Sequence, residues 1–299
     1  MEPNWALARK RVILEKRARI VQTIRAFFIE QDFLEIETPP RLPGNAPEQH
    51  IDAVVSGNGF LQTSPELCMK RLLAAGYPRL FQICRCWREG ERGCRHLPEY
   101  TMLEWYRTDC DYHTLMSDCE KLLNRLCPAG TLGAIDLLPP WERLTVAEAF
   151  QRYAATDLAT ALSNGRFDEV LAFEVEPQLG RTRPTFLMEY PTELAALARC
   201  KPTDPTVAER FELYLGGLEL ANAFSELTDP VEQRSRFEQE EVARRNLGKC
   251  PYPSPEKFLT ELAAMPPSAG IALGIDRLVM LLTGNDSIDQ VVAFTPEDL

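Results

Sequence analysis

The sequence has no run of about 20 apolar residues, so it offers no membrane-spanning helix. Its first residues, MEPNWALARKRVILEKRAR, are charged where a secretion signal needs an apolar stretch, and a cytoplasmic location is expected. Positive charge is in deficit. Against 44 acidic residues stand 33 lysines and arginines, a net charge of −11 over 299 residues. That field repels polyanions, so any nucleic-acid contact would need a local basic patch. Histidine is scarce, with three in the chain, and the nine cysteines are odd in number and irregularly spaced. In a chain without a secretion signal they read as reduced thiols, not as a disulfide framework. There is no Gly-rich loop ending in Lys-Ser/Thr, no GxGxxG and no GxSxG, which removes the common P-loop, dinucleotide-binding and hydrolase readings. No repeat, low-complexity tract or linker divides the chain, so a single domain over 1–299 is expected.

What is present is an ordinary globular balance, with 45% hydrophobic and 26% charged residues. Residues 4 to 31 carry one long helical pattern, with Ile20, Val21, Ile24, Phe27 and Phe28 at three- and four-residue steps. Phe33 to Thr38 alternates as a strand and is ended by Pro39-Pro40. Phe60 to Gln62 reads as strand, and Ser64 and Pro65 suit the cap and first position of a short helix. Leu80 to Trp87 and Tyr100 to Tyr106 are two further strands, joined by a loop too long for a plain hairpin. Helical patterns follow at 112 to 127 and 145 to 161, with shorter pieces at 168 to 173 and 193 to 199. Gly216-Gly217 between Phe211 to Leu215 and Leu218 to Phe224 signals a tight hairpin, and Ala269 to Leu282 is a strand running into a helix. The fold class these elements imply is α+β, an antiparallel sheet flanked by helices.

Three segments carry chemistry. A strand period of two puts Tyr100, Met102, Glu104 and Tyr106 on one face, and by the same alternation Arg88 projects with Gln82, Cys84 and Cys86. Taken alone, a solvated Glu104 paired with Arg88 explains that face equally well. In the double-glycine hairpin, a plain two-residue turn pairs Tyr214 with Glu219 and Glu212 with Ala221. Glu212 and Glu219 then become diagonal neighbours whose repulsion a divalent cation such as Mg²⁺, arriving with phosphates, would relieve. In Gly270 to Arg277, Gly270, Ala272 and Gly274 make a face nearly without side chains, against which a flat ligand can lie. Arg277 follows in the first helical turn, where free N–H groups also favour an anion. Cys84-x-Cys86 with Cys94-x-His96 has four potential zinc ligands, but structural sites usually leave two or more residues between paired ligands. Packing of Cys84 and Cys86 as small apolar side chains is the expectation.

In this order the segments resemble the signature motifs of the class II aminoacyl-tRNA synthetases: FFIEQDFLEIETPP the first, RCWREGERGCRHLPEYTMLEWY the second and GIALGIDRL the third. The resemblance covers nearly the whole chain. TSPE at Thr63 to Glu66 and FELYLGGLELANAFSEL at Phe211 to Leu227 resemble the lysine branch, and within it the truncated lysyl-tRNA synthetase paralogues, the elongation factor P lysine aminoacylases or (R)-β-lysine ligases. Full lysyl synthetases place an OB-fold anticodon-binding domain before this region. Here the first motif begins almost at Met1, so no anticodon recognition is expected. Ala272 is similar to those paralogues, where full synthetases usually have Gly.

The resemblance implies ATP and Mg²⁺ as cofactors, lysine or (R)-β-lysine and elongation factor P as substrates, and a homodimer built on the first motif. It implies that Arg88 and Arg277 are catalytic, and that Arg88 contacts the α-phosphate and the substrate carboxylate. Tyr100 and Arg277 would sandwich the adenine, and His96 would touch phosphates. Glu89, Gly90, Leu97, Leu220 and Gly274 are the remaining positions implied around ATP, and Glu212 and Glu219 would hold Mg²⁺. Glu66, with Ser64 and Pro65 beside it, would bind the backbone-side amine. Glu104, Tyr106, Asn222 and Glu226 would bind the ε-ammonium, with Phe224 and Ala272 shaping the pocket. Two positions depart from the family. Its Arg-x-Glu reads Arg88-Glu89-Gly90-Glu91 here, and an Asn after the motif's His is Leu97. Either Glu89 or Glu91 substitutes through a shifted loop, or nucleotide affinity has dropped. A minimal synthetase charging tRNA, and a non-catalytic relative that binds amino acid or nucleotide, are the rival expectations.

Overall fold

The computed structural model describes residues 5–299, which fold as two compact units. The first takes the described residues through Thr108, then Thr228–Pro266 and Ala272–Leu299, and the second takes Asp109–Leu227 and Pro267–Ile271. Each is described in chain order.

The first unit opens with helix α1 (Trp5–Ile29). Asn4, included in the expected helix, lies outside the described residues. Ile24, Phe27 and Phe28 are buried, and Phe28 packs on Phe33, Phe81 and Trp105 with ring centroids 5.0 to 5.1 Å apart. Strand β1 holds only Leu34–Glu35, shorter than the alternation suggested. Ile36 still donates its N–H to Phe81 O, but the chain then peels away through Pro39-Pro40 and bonds Gln62 N–H from Pro40 O. β2 (Arg41–Leu42), β3 (Val55–Ser56) and β4 (Gly59–Leu61) form a small sheet in the order β2-β4-β3. Helix α2 (Glu66–Ala74) begins one residue later than expected, with Pro65 in the cap position. Ser64 nevertheless accepts the Glu66 N–H at 3.0 Å. β5 (Arg79–Trp87) and β6 (Glu99–Thr108) pair antiparallel, setting Gln82 opposite Glu104, Cys84 opposite Met102 and Cys86 opposite Tyr100. β1 joins β5 in parallel.

The second unit starts at α3 (Tyr112–Leu126), capped by Asp111, followed by the short hairpin β7 (Thr131–Leu132) and β8 (Ile135–Asp136). The expected helix over 145 to 161 is broken in two. β9 (Glu142–Thr145) leads into α4 (Val146–Tyr153) through a Thr145–Glu148 capping box, and Asp157 caps a separate α5 (Leu158–Ser163). Two side chains suited to starting helices thus override a continuous apolar pattern. α6 (Phe167–Val170) continues as a wide turn over Leu171–Val175, and the piece expected at 193 to 199 is only a single turn at Thr192–Leu194. β10 (Thr185–Met188), the pair β11 (Cys200–Lys201) and β12 (Asp204–Ala208), β13 (Arg210–Leu215) and β14 (Leu218–Ser225) complete it. The strands run in the order β14-β13-β10-β9, all antiparallel except β9 beside β10. The core beneath them gathers Phe150, Phe167, Tyr190 and Tyr214.

Returning to the first unit, α7 (Pro230–Asn246) and α8 (Glu256–Leu262) fill a stretch in which the sequence reading found no element. Arg244 of α7 is buried against the Tyr252 ring, with its guanidinium donating to Glu48 O, Ile51 O and Cys250 O. β15 (Ser268–Gly274) belongs to the second unit through Ile271 and to the first from Ala272, and feeds α9 (Ile275–Thr283). Among the described residues no helix is long and apolar enough to cross a membrane. Truncating Phe28 to Ala removes the ring on which α1, β5 and β6 meet, and is expected to cost about 3–5 kcal/mol of unfolding free energy. Urea denaturation checks this, and a loss below about 1 kcal/mol would contradict the packing account.

Candidate active site

In the first unit the alternation of β6 buries Glu104, which is 1% exposed, so the solvated reading of this residue is wrong. Its carboxylate accepts from Ser64 Oγ at 2.8 Å and from Tyr106 OH at 2.5 Å. Burial first, and the neighbouring Glu66 carboxylate second, push its pKa up to about 8, while the two hydroxyls and Lys70 pull the other way. Glu66 in turn receives the ammonium of Lys70, one helical turn on, at 2.5 Å. Ser64, Glu66, Glu104 and Tyr106 are therefore one connected group. Lys70, which meets Glu66, was missed from sequence, although its i,i+4 spacing from Glu66 on a helix was legible.

Arg88 does not pair with Glu104. Its guanidinium stands over the Tyr100 ring, 5.3 Å from the centroid, and 3.7 Å from Glu91. Tyr100 donates to Thr63 O at 3.0 Å, and burial pushes its phenol upward. Glu89 is exposed, with its N–H held by Asp52 O. Gly90 turns at φ +78°, a conformation an L side chain rarely adopts, and nothing crowds the place its Cβ would take. The departure from Arg-x-Glu is thus a tight turn that leaves Glu91 near Arg88. Arg92 ties the loop to the C-terminal segment through Asp289 at 3.0 Å and Glu297 at 2.9 Å. Leu97 is 4% exposed, so its side chain serves the core.

The third segment follows its pattern except at Gly270, which is buried. Ile271 and Leu273 are buried, while Ala272 and Gly274 stay partly open. Arg277, in the first turn of α9, contacts His96 and reaches Arg95 O at 3.4 Å. Asp276 beside it is buried and accepts the Thr101 N–H at 2.7 Å, and Arg17 of α1 bonds both Asp276 and the Thr101 hydroxyl, at 2.6 and 2.8 Å. This bridge fixes the neighbours of Tyr100 and Arg277. The role of Arg17 was not legible in the sequence. Cys84 and Cys86 lie side by side, Sγ to Sγ 3.8 Å, with Met102 against Cys86. Among the described residues no group of three or more His, Cys, Asp or Glu is set to hold a metal, and the zinc arrangement is not formed.

In the second unit the hairpin turns at Gly216-Gly217, both at positive φ, and pairs Tyr214 with Glu219 as expected. Beyond that the register is corrected. Leu213 faces Ala221 and Glu212 faces Asn222, because Leu220 is an extra residue in β14. This bulge changes which face the following side chains take, bringing Asn222 and Phe224 to the side of Glu212 and Glu219. Glu212 is buried and accepts from Arg210 at 2.6 Å, Tyr190 at 2.6 Å and Tyr214 at 2.7 Å. Burial, then the Glu219 charge, raise its pKa, and Arg210 opposes them. Arg210 also lies over the Tyr190 ring and donates to Asn222 at 3.0 Å. The oxygens of Glu212 and Glu219 suit Mg²⁺, which is commonly held by one or two carboxylates together with substrate phosphates. Phe224 packs beside Ala195, Ala198 and Ala208, and Glu226 is buried with its N–H on Ser268 O.

The Glu104 environment has a measurable consequence. Between its ordinary value of 4.5 and about 8 the folded chain holds a proton that the unfolded chain has lost. Stability is therefore fullest below that window and falls as pH rises through it, by at most about 1.4 kcal/mol per pH unit. Glu104→Gln is expected to flatten this decline in urea unfolding from pH 5 to 9, and parallel curves for both proteins would contradict it.

Comparison with known proteins gives the family. Residues 6–298 match the tRNA synthetases of class II (D, K and N). The elongation factor P–(R)-β-lysine ligase of Vibrio atlanticus is 37% identical, over 98% of this chain and 98% of its own. Those of Erwinia tasmaniensis and Salmonella dublin are 39% and 40% identical, the former over 98% of this chain and 97% of its own, the latter over 94% of each. With a family match over nearly all of its described length, and relatives of this identity covering both chains, the protein belongs to the class II tRNA synthetase family.

Proposed function

We propose that the chain uses ATP to activate lysine or (R)-β-lysine as an aminoacyl-adenylate and transfers the acyl group to a lysine ε-amine of elongation factor P, in the cytoplasm. The names of its relatives support the substrates and the ligase chemistry. The observation that carries the reading is the buried pair of carboxylates, Glu66 and Glu104, with hydroxyls aimed at Glu104: such a group is completed by a cationic amine.

In the first step the amino-acid carboxylate attacks the α-phosphate and pyrophosphate leaves. In the second the acceptor amine, having lost its proton, attacks the acyl carbon, forming an amide and releasing AMP. No side-chain nucleophile is required, since positioning and electrostatics suffice. We assign Arg88 and Arg277 to the phosphate charge, Tyr100 and His96 to the nucleotide, Glu66 to the backbone-side amine, and Glu104 with Tyr106 to the ε-ammonium. For the second unit we assign Glu212 and Glu219 to the Mg²⁺ that accompanies ATP, and Asn222, Phe224 and Glu226 to the amino acid. We also propose a homodimer through α1, whose outer side exposes Trp5 and Val12.

Incubated with ATP, Mg²⁺ and (R)-β-lysine, the protein is expected to raise the mass of elongation factor P by one lysyl residue, and Arg88→Ala to lower that rate at least about 100-fold. Labelling of tRNA with elongation factor P untouched would contradict the acceptor. Sedimentation is expected to give twice the chain mass, and a monomer at micromolar concentration would contradict the dimer.

A further inference from the structure

Glu66 on α2 and Glu104 on β6 are two carboxylates in one buried group, and the charge of Glu66 opposes ionisation of Glu104. Lys70 stands against this pair with its side chain fully buried and its ammonium 2.5 Å from Glu66 Oε1. Glu66 keeps 12% of its side chain open, and its other oxygen, Oε2, accepts no hydrogen bond among the described residues. The geometry therefore divides the carboxylate: one oxygen is held by the protein, the other is presented. Lys70 itself is too enclosed to meet a ligand.

A bare stability role explains this poorly. Burying an ion pair costs desolvation that mutual attraction barely repays, and apolar residues of similar size often do as well. Here a long, flexible side chain is immobilised to keep one carboxylate oxygen in place.

We propose that Lys70 is a positioning residue for the amino-acid site: by holding Oε1 of Glu66 it fixes where Oε2 meets the backbone-side amine, and so sets the choice between an amine on the α carbon and one on the β carbon. This rests on the reading that Glu66 binds that amine. The two substrates differ by one carbon in amine position, about 1.5 Å, a displacement that a fixed carboxylate resolves and a loose one tolerates.

Amino-acid-dependent ATP–pyrophosphate exchange with α-lysine and (R)-β-lysine tests it, in the full chain and in Lys70→Met and Lys70→Arg, with thermal unfolding alongside. In Lys70→Met the KM for the preferred lysine is expected to rise about tenfold or more, as for loss of a charge-assisted hydrogen bond, while the KM for ATP moves less than about threefold. The ratio of kcat/KM between the two lysines falls toward one, and Lys70→Arg recovers part of it. An unchanged ratio, or a fall in kcat alone and equally for both lysines, overturns the proposal. Should the methionine variant not fold, Lys70→Gln, which keeps a donor without the charge, is read by the same ratio. No exchange by the unaltered chain with either lysine overturns the activation reading itself, and this inference with it.

Discussion

A carboxylate taken out of water needs either a proton or a cation, and the buried carboxylates of each unit depend on that constraint. In the first unit Glu104 has two hydroxyl donors and, among the described residues, no cation within hydrogen-bond distance, and burial raises its affinity for a proton. In the second unit Glu212 is supplied with Arg210 and two tyrosine hydroxyls, with Glu219 opposing it. The first group is left short of positive charge, and the second is already largely balanced.

Those charges are held by a plain framework. The antiparallel pairing of β5 and β6 puts Tyr100 and Glu104 on one strand face with Arg88, just past the end of β5, over the Tyr100 ring, and Phe28 of α1 packs on the aromatic residues Phe81 and Trp105 of those strands. Arg17, Asp276 and Thr101 then join α1, α9 and β6 by hydrogen bonds, so that Tyr100 and Arg277 each follow or precede a fixed residue. In the second unit a single extra residue, Leu220, decides which side chains share the face of Glu212. Local backbone choices thus set the chemistry at several points.

Much of this was legible in the sequence because it follows from period and spacing. The faces of β6 and β15, the glycine turn at 216 and 217, and the helix over 112 to 126 need only local rules. The bulge did not show, since a two-residue turn and a strict alternation give the wrong partner for Glu212, and nothing nearby in sequence marks Leu220 as extra. Arg210 and Tyr190 were invisible for a different reason: each acquires meaning from a carboxylate on another strand position. Helix α7 is too polar for its period to register, being carried by buried Gln233, Phe237 and Arg244. Lys70 and Arg17 did not stand out in the sequence because a buried cation is the exception among charged residues.

We propose that the buried carboxylates select an amino acid with a second, distal ammonium. Pyrophosphate exchange with lysine set against norleucine, which has the same length of chain but no ε-ammonium, tests it most directly. The account predicts exchange with α-lysine or (R)-β-lysine and at least about 100-fold less with norleucine, since a site built to bind a charged group leaves its own charge unpaired with the analogue that lacks it. Equal exchange with norleucine would contradict it.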